Sequence, residues 1–349
     1  MKDINYLISI IMPAFNVEKY IKESVFSVLN QSYKNIELLI FDDGSSDFTI
    51  SEIKKFHDSR IKLFQGKINL GAAKARNYLL SKAKGDFIAF LDSDDICLKH
   101  RFKHCISYFE NNPEIELIGS RTILIDENSK KYSFVKSFES FNYKDVEADL
   151  FFNNTFSLST VIIRRNILQY IIFDDRFEPA EDYELFSRIS GVVKMENINK
   201  CLVKYRISSN SLSFTKRDKL KGVFNLIGER SFQKLNIDVT PKGISLHNEF
   251  LISGHFEACQ LDDSLLFYSL LVKKNTEFKT YNELSLLKAI RKNWFLKCMY
   301  SSKKNGVLSL FYFWSKFPFH DFSIVRYSVY LLAFIIKNHI RRNLKKLKY

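Results

Sequence analysis

A chain of 349 residues with 46% hydrophobic side chains is long enough to bury about two domain cores. Five prolines and eleven glycines exclude a fibrous or disordered protein. The net charge of +14 is unevenly placed. Residues 216–349 carry 24 Lys/Arg against 10 Asp/Glu, the whole excess, and residues 1–215 are neutral, which predicts two parts with different surfaces.

At the N-terminus, Met1 to Asn5 is polar and the apolar run Tyr6 to Ala14 ends without a small-residue cleavage site, so no export signal is expected. No apolar stretch reaches the roughly 20 residues of a membrane span. The five cysteines (Cys97, Cys105, Cys201, Cys259 and Cys298) are odd in number and form no CxxC pair, a pattern of reduced thiols in a cytoplasm. Four short apolar runs then read as strands of a parallel sheet: Leu7–Pro13, Ile36–Phe41, Ile61–Phe64 and Asp86–Leu91. Between them lie three amphipathic stripes, carried by Ile21, Val25, Val28 and Leu29, by Ile50, Ile53 and Phe56, and by Ala72, Ala75, Leu79 and Leu80. The alternation predicts an α/β doubly wound sheet, whose ligands bind beyond the carboxyl ends of the strands.

Those ends read Pro13-Ala14-Phe15-Asn16, then Asp42-Asp43-Gly44-Ser45-Ser46-Asp47, then Asp92-Ser93-Asp94-Asp95. Ser46 or Asp47 is expected to cap a helix at Phe48, but capping uses one residue per end and leaves most of the acids over. A cluster of acids needs a cation or donor groups to balance it. No GxGxxG and no GxxxxGK[ST] motif is present to cradle phosphates. Read as extended chain, Asp92 and Asp94 point the same way and can share one ligand, and an all-carboxylate set suits Mg2+ or Mn2+ rather than zinc.

The segments SIIMPAFN (9–16), QSYKNIELLIFDDGSSDFT (31–49), NLGAAKARN (69–77), DFIAFLDSDD (86–95) and FDDRFEPAEDYELFSRI (173–189) together resemble the family-2 glycosyltransferases of the GT-A fold, of bacterial surface-glycan type. The resemblance covers roughly residues 7–212. It implies a catalytic domain over 1–215, with a sugar-nucleotide half to about residue 97 and an acceptor half from 98. Pro13, Ala14 and Phe15 would lie against the nucleotide base, Asp43 with Asp42 beside it would read the uracil, and Arg76 would sit near the nucleotide. Asp92, with Ser93, would contact ribose or metal, and Asp94 would be the principal ligand of a divalent Mn2+ or Mg2+. Asp182 would be the general base, with Glu181 its neighbour, taking the proton of an acceptor hydroxyl in a single inverting displacement. The resemblance thus implies a UDP-sugar donor and a glycan or lipid-linked acceptor. Many relatives carry Tyr where this chain has Phe15, and YRISSNSLS (205–213) has Ser208 where many place a His near the diphosphate, which leaves that contact to Arg206 or the metal. A catalytically idle sugar-nucleotide binder or scaffold is the alternative, opposed by the presence of Asp43, Asp92, Asp94 and Asp182 together.

His100 and His104 have zinc-ligand spacing but no third ligand nearby, and no nucleic-acid motif accompanies the basic second part. In residues 216–349 the runs Leu265–Val272 and Leu286–Met299 read as helices, predicting a mainly helical region. Its end is distinctive. Ile324, Val325, Val329, Leu332 and Ile336, among Tyr and Phe, precede Arg341, Arg342, Lys345, Lys346 and Lys348. An apolar segment too short to span, followed by cations, predicts a helix lying on an anionic membrane surface, and so a peripheral enzyme on the inner face of the cytoplasmic membrane.

Overall fold

The structure is a computed structural model and describes residues 5–131, 140–207, 217–241, 243–244, 246–248 and 259–305. Ser208 and the apolar and basic segments of 322–348 lie outside the described residues.

Continuous burial, not alternation, marks the first strands. All seven residues of β2 (Ile36–Asp42) and all but Pro13 of β1 (Ile8–Ala14) are buried, as a parallel sheet covered on both faces requires. With β3 (Ile61–Gln65) and β4 (Phe87–Phe90) they form the expected parallel set, each strand within about a residue of its expected limits. Beyond β4 the sheet changes character. β5 (Ile96–Cys97), β6 (Leu117–Ile125), β7 (Ile162–Arg164) and β8 (Met195–Arg206) complete eight strands in the order β3-β2-β1-β4-β7-β6-β8-β5. β7 runs antiparallel to both β4 and β6, and β6 pairs parallel to β8 across a register shift at Arg121.

Helix α1 (Ile21–Leu29) turns Ile21, Val25 and Val28 fully into the core against Ile8, Ile10 and Met12 of β1 and Ile36, Leu38 and Ile40 of β2. Each such side chain contributes about 1.5–3 kcal/mol by leaving water. Helix α2 is shorter than its stripe suggested. It runs from Thr49 to Lys54, and Phe56 packs on the core from beyond its end. The helix starts at Thr49, one residue later than expected, with Phe48 at the cap position, and Asp47 serves that start by accepting from the Thr49 amide at 2.9 Å. Helices α3 (Ala72–Lys82), α4 (Arg101–Asn111), α5 (Tyr143–Leu150) and α6 (Glu181–Ile189) complete the layers.

The chain divides into two compact units, Met1–Leu150 with Asn154–Leu220, and Phe151–Asn153 with Lys221–Tyr349. Among its described residues the second is helical: α7 (Arg217–Gln233, all but its first turn), α8 (Cys259–Phe278) and α9 (Glu283–Asn305). Its core is aromatic. His247 packs edge-on against Phe151, Phe232 and Phe267, and burial, with Lys297 nearby, pulls its pKa down to about 3, so the ring is neutral. Lys297 is itself buried, donating to the Leu246 carbonyl at 2.9 Å and the Ser264 hydroxyl at 3.2 Å beneath the Tyr268 ring. Among the described residues no helix is long and apolar enough to cross a membrane, and Cys97, Cys105, Cys201 and Cys298 are free thiols.

Candidate active site

The parallel strands end together, and their ends build one wall. Past β1, Pro13 is half-buried, Ala14 is enclosed and Phe15 stands 42% exposed. Asn16 follows with φ +50°, its amide donating to Ser45 Oγ and its side-chain oxygen accepting from the Ser46 amide, which ties the β1 end to the β2 end. Asp42 is wholly buried and turns one oxygen to the Ser45 amide at 3.1 Å, while its Oδ1 has no partner. Asp43 is 3% exposed and accepts from the Leu70 and Gly71 amides, both at 2.8 Å. Its carboxylate therefore fixes the loop that opens α3, with lone pairs remaining on each oxygen.

Arg76, on α3, is 6% exposed and reaches two acids. One guanidinium nitrogen donates to Asp92 Oδ1 at 2.8 Å and the other to Glu181 Oε1 at 2.6 Å. Burial alone would lower the pKa of this cation, and the two carboxylates more than reverse that. The Arg76 that the resemblance put near a nucleotide is thus the link between the acids after β4 and those of α6. A second separation of roles concerns Arg206, expected as a diphosphate contact. It is fully buried, donates to the carbonyls of Asp94 and Asp126, to Ser129 Oγ and to Glu23, and stacks 4.4 Å from the Tyr20 ring. Its guanidinium builds the acidic turn from behind and is enclosed there.

That turn runs from Asp92 to Asp95. The segment is not extended, as the sequence suggested, because the Asp95 amide donates back to the Asp92 carbonyl at 3.1 Å. The side chains of Asp92 and Asp94 nevertheless repel one another: burial first, and Asp92 next, push the Asp94 carboxyl up to about 6. Asp95 is buried, raised by burial and by the same two neighbours, with Oδ1 on the Arg206 amide at 2.8 Å and Oδ2 without a partner. Ser93 is buried within the turn, and Ser159 Oγ accepts from the Asp92 amide. Excess negative charge and an orphaned carboxylate oxygen, all hard oxygen donors, fit a divalent Mg2+ or Mn2+. Among the described residues no group of three or more His, Cys, Asp or Glu makes a ready-formed metal cage; the fit is to a cation shared with a ligand, the usual habit of Mg2+ with phosphates.

Asp182 lies in the first turn of α6. Its Oδ1 accepts from the Tyr183 amide at 2.7 Å and its Oδ2 from the Asn154 side-chain amide at 3.0 Å. Burial, then the charge of Glu181, push its pKa up to about 7, against the pull of Arg76. A carboxylate titrating there is matched to proton abstraction at neutral pH. Two partners had no signal in the sequence. Asn154 reaches Asp182 from 28 positions away, and Glu178 crosses 105 positions to accept from the Ala73 amide at 3.0 Å, capping α3.

A mixed α/β sheet in this strand order, with acids gathered at its strand ends, is a GT-A architecture. The family model described as glycosyl transferase family 2 matches residues 9–171. A β-1,3-glucosyltransferase of Escherichia coli, WfgD, named as acting from UDP-Glc on α-D-GlcNAc-diphosphoundecaprenol, is 39% identical over 227 residues, 64% of this chain and 87% of that one. Staphylococcus aureus TarS 1–349, solved with UDP-GlcNAc, superposes with a TM-score of 0.58 at 20% identity, covering 86% of this chain and 92% of that one. A mannosyltransferase of Pyrobaculum calidifontis, solved with GDP-Man and Mn2+, superposes with a TM-score of 0.52 at 15% identity, over 82% and 87%. The chain belongs to glycosyltransferase family 2 and is a glycosyltransferase.

Proposed function

We propose that this enzyme transfers a hexose or N-acetylhexosamine from a UDP-sugar to a glycan or lipid-linked acceptor of a bacterial surface polysaccharide, with inversion at the anomeric carbon. The observation that carries the reading is the charge network itself. A carboxyl titrating near pH 7, Asp182, is joined through Glu181 and Arg76 to the acid turn after β4. A proton acceptor and a leaving-group site so connected suit direct displacement, which needs no covalent nucleophile.

In this reading Pro13, Ala14 and Phe15 flank the base and Asp43 reads its edge. Asp92 and Asp94 hold a divalent cation, which when bound supplies Lewis-acid stabilisation to the departing diphosphate. Asp182 takes the acceptor hydroxyl's proton on the face away from the leaving group. Burial first, and then the charge of Glu181, itself held by Arg76, raise the basicity of Asp182. The resemblance in sequence to WfgD supports the UDP donor and the lipid-linked acceptor, and the Mn2+ bound to the Pyrobaculum neighbour supports the cation. We extend the reading to the domain plan, a catalytic domain over 1–215 followed by a basic helical region, and to a peripheral place on an anionic membrane.

The test offers UDP-glucose, UDP-galactose, UDP-GlcNAc and UDP-GalNAc, each with a GlcNAc-diphospho-lipid, with Mn2+ and with EDTA. A β-linked product from one α-linked donor, lost in EDTA, is expected. An α-linked product, or full turnover in EDTA, overturns inversion or the cation respectively.

A further inference from the structure

The Asp182 carboxylate is surrounded by charge that disagrees about its ionisation. Glu181 on its own helix and Asp92 beyond β4 disfavour the anion, and Arg76 on α3 favours it. Tyr205 on β8 also lies within electrostatic reach, its phenol raised chiefly by burial and therefore neutral. Against this background Asn154 is placed with unusual definition. Its Oδ1 accepts from the Phe156 amide at 3.1 Å, which fixes which end of the amide faces where. The other end, Nδ2, is left to donate to Asp182 Oδ2 at 3.0 Å. The segment carrying it is held in turn. Asn197 Nδ2 donates to the Thr155 carbonyl at 3.3 Å, Phe156 packs its ring 4.9 Å from Phe186 of α6, and the Tyr183 hydroxyl donates to the Leu150 carbonyl.

We propose that Asn154 is a positioning residue for the transfer reaction: its backbone-locked amide fixes the rotamer of Asp182 and favours the carboxylate over the acid. The inference rests on the reading of Asp182 as the base. An NH2 donor favours the anion over the acid, because a protonated Oδ2 would meet a hydrogen that cannot accept from it. With the Tyr183 amide on Oδ1, the bond also leaves the remaining lone pairs of Oδ2 pointed in a set direction, which a base acting on one hydroxyl of a sugar needs. Without it, burial and the charge of Glu181, which already bring the carboxyl to about 7, would carry Asp182 further toward the acid form.

The experiment compares the kcat/KM–pH profiles of the full-length enzyme and its Asn154→Ala, Asn154→Asp and Asp182→Asn variants, with UDP-sugar KM and thermal midpoint recorded for each. Asn154→Asp keeps an oxygen for the Phe156 amide but sets a second acid against Asp182. For Asn154→Ala the acidic limb should move up by about one unit, read as about a tenfold loss of kcat/KM below the limb. Asn154→Asp should move it further, and donor KM should hold in both. A role confined to bracing the turn would lower the thermal midpoint of Asn154→Ala, spare Asn154→Asp, and leave both limbs where they are; that result overturns the proposal. The two readings fail separately. If Asp182→Asn retains turnover with the same limb, the base assignment itself falls. If Asp182→Asn is inactive while both Asn154 limbs are unmoved, only the role of Asn154 falls.

Discussion

Asp94 and Asp182 are carboxyls that the folded chain holds protonated to about pH 6 and about pH 7, chiefly by burial and then by a neighbouring acid. Both pKa values lie above those of the unfolded chain, so both groups favour the fold most below about pH 4, and that contribution is lost as pH rises through their folded values. Asp95 is shifted the same way. The carboxyls lowered by their partners, such as Asp58 at about 2 beside Arg60, are already ionised and add no slope in that window. His247, lowered to about 3, works the other way between pH 5 and about 6.5, but the larger combined shift of the carboxyls, which persists to pH 8, outweighs it, so the ligand-free protein should melt at a lower temperature at pH 8 than at pH 5. Mn2+ added at pH 8 should restore part of the loss, and Asp94→Asn should both flatten the slope and abolish the response to Mn2+. Scanning calorimetry across pH with and without Mn2+ checks this, and a midpoint that rises from pH 5 to 8 contradicts it. The chemistry of Asp182 is separable from this stability effect. Asp182→Asn keeps the shape but cannot take a proton, so turnover should fall by roughly 10²–10⁴ with donor affinity nearly unchanged. A collapse of UDP-sugar binding in a titration of that variant would instead make Asp182 a donor ligand.

At the scale of elements, α3 is the strut on which both sides of the site meet. Its start is held by Asp43 through the Leu70 and Gly71 amides and by Glu178 on the Ala73 amide, and its body delivers Arg76. Gly71 sits at φ +92°, where a Cβ would come within 2.7 Å of Glu178 Oε1. Gly71→Ala should thus cost about 1–3 kcal/mol of stability and weaken UDP binding, because the strained turn can relax only by withdrawing amides from Asp43. Urea unfolding and a UDP titration read the two effects; a variant that loses neither shows the turn to be tolerant. This strut was half legible. The Ala72, Ala75, Leu79, Leu80 stripe announced the helix, and the acids at the strand ends announced a site, because period and position at a strand terminus are local properties of sequence. What Arg76, Arg206, Glu178 and Asn154 do there was not legible. They act across 16 to 183 positions through individual hydrogen bonds and ion pairs, and such pairings leave no periodic trace. The same limit explains the turn at Asp92–Asp95. Strand logic was carried past the end of β4 at Phe90 and through Asp94, where a local amide-to-carbonyl bond closes the chain instead. The antiparallel entry of β7 between β4 and β6 escaped for a related reason, since a three-residue strand is too short to show a period.

For the whole molecule the governing quantity is the distribution of charge. Residues 1–215 are neutral, yet residues 316–349 carry eight Lys/Arg and one acid, half of the net +14. A transferase acting on a lipid-linked acceptor must meet its substrate at a surface. Each cation near an anionic bilayer adds about 1 kcal/mol of attraction, and the attraction decays within a Debye length. Arg341, Arg342, Lys345, Lys346 and Lys348 together should then give a few kcal/mol, enough to hold the enzyme on anionic lipid at low salt and too little to hold it at high salt. The full chain should float with phosphatidylglycerol vesicles in low salt, and remain behind with phosphatidylcholine vesicles or in high salt. A chain ending at Asp321 should lose flotation. So should one in which the five cations are replaced by Gln, which leaves every described residue untouched and must keep its UDP-sugar turnover on a water-soluble acceptor. Binding indifferent to lipid charge and salt, or surviving both changes, would remove the tail as the anchor and return membrane contact to some other surface. Binding that follows lipid charge but survives only the Gln variant would assign the attraction to the cations upstream, Arg326 and Lys337, and to the apolar residues around them.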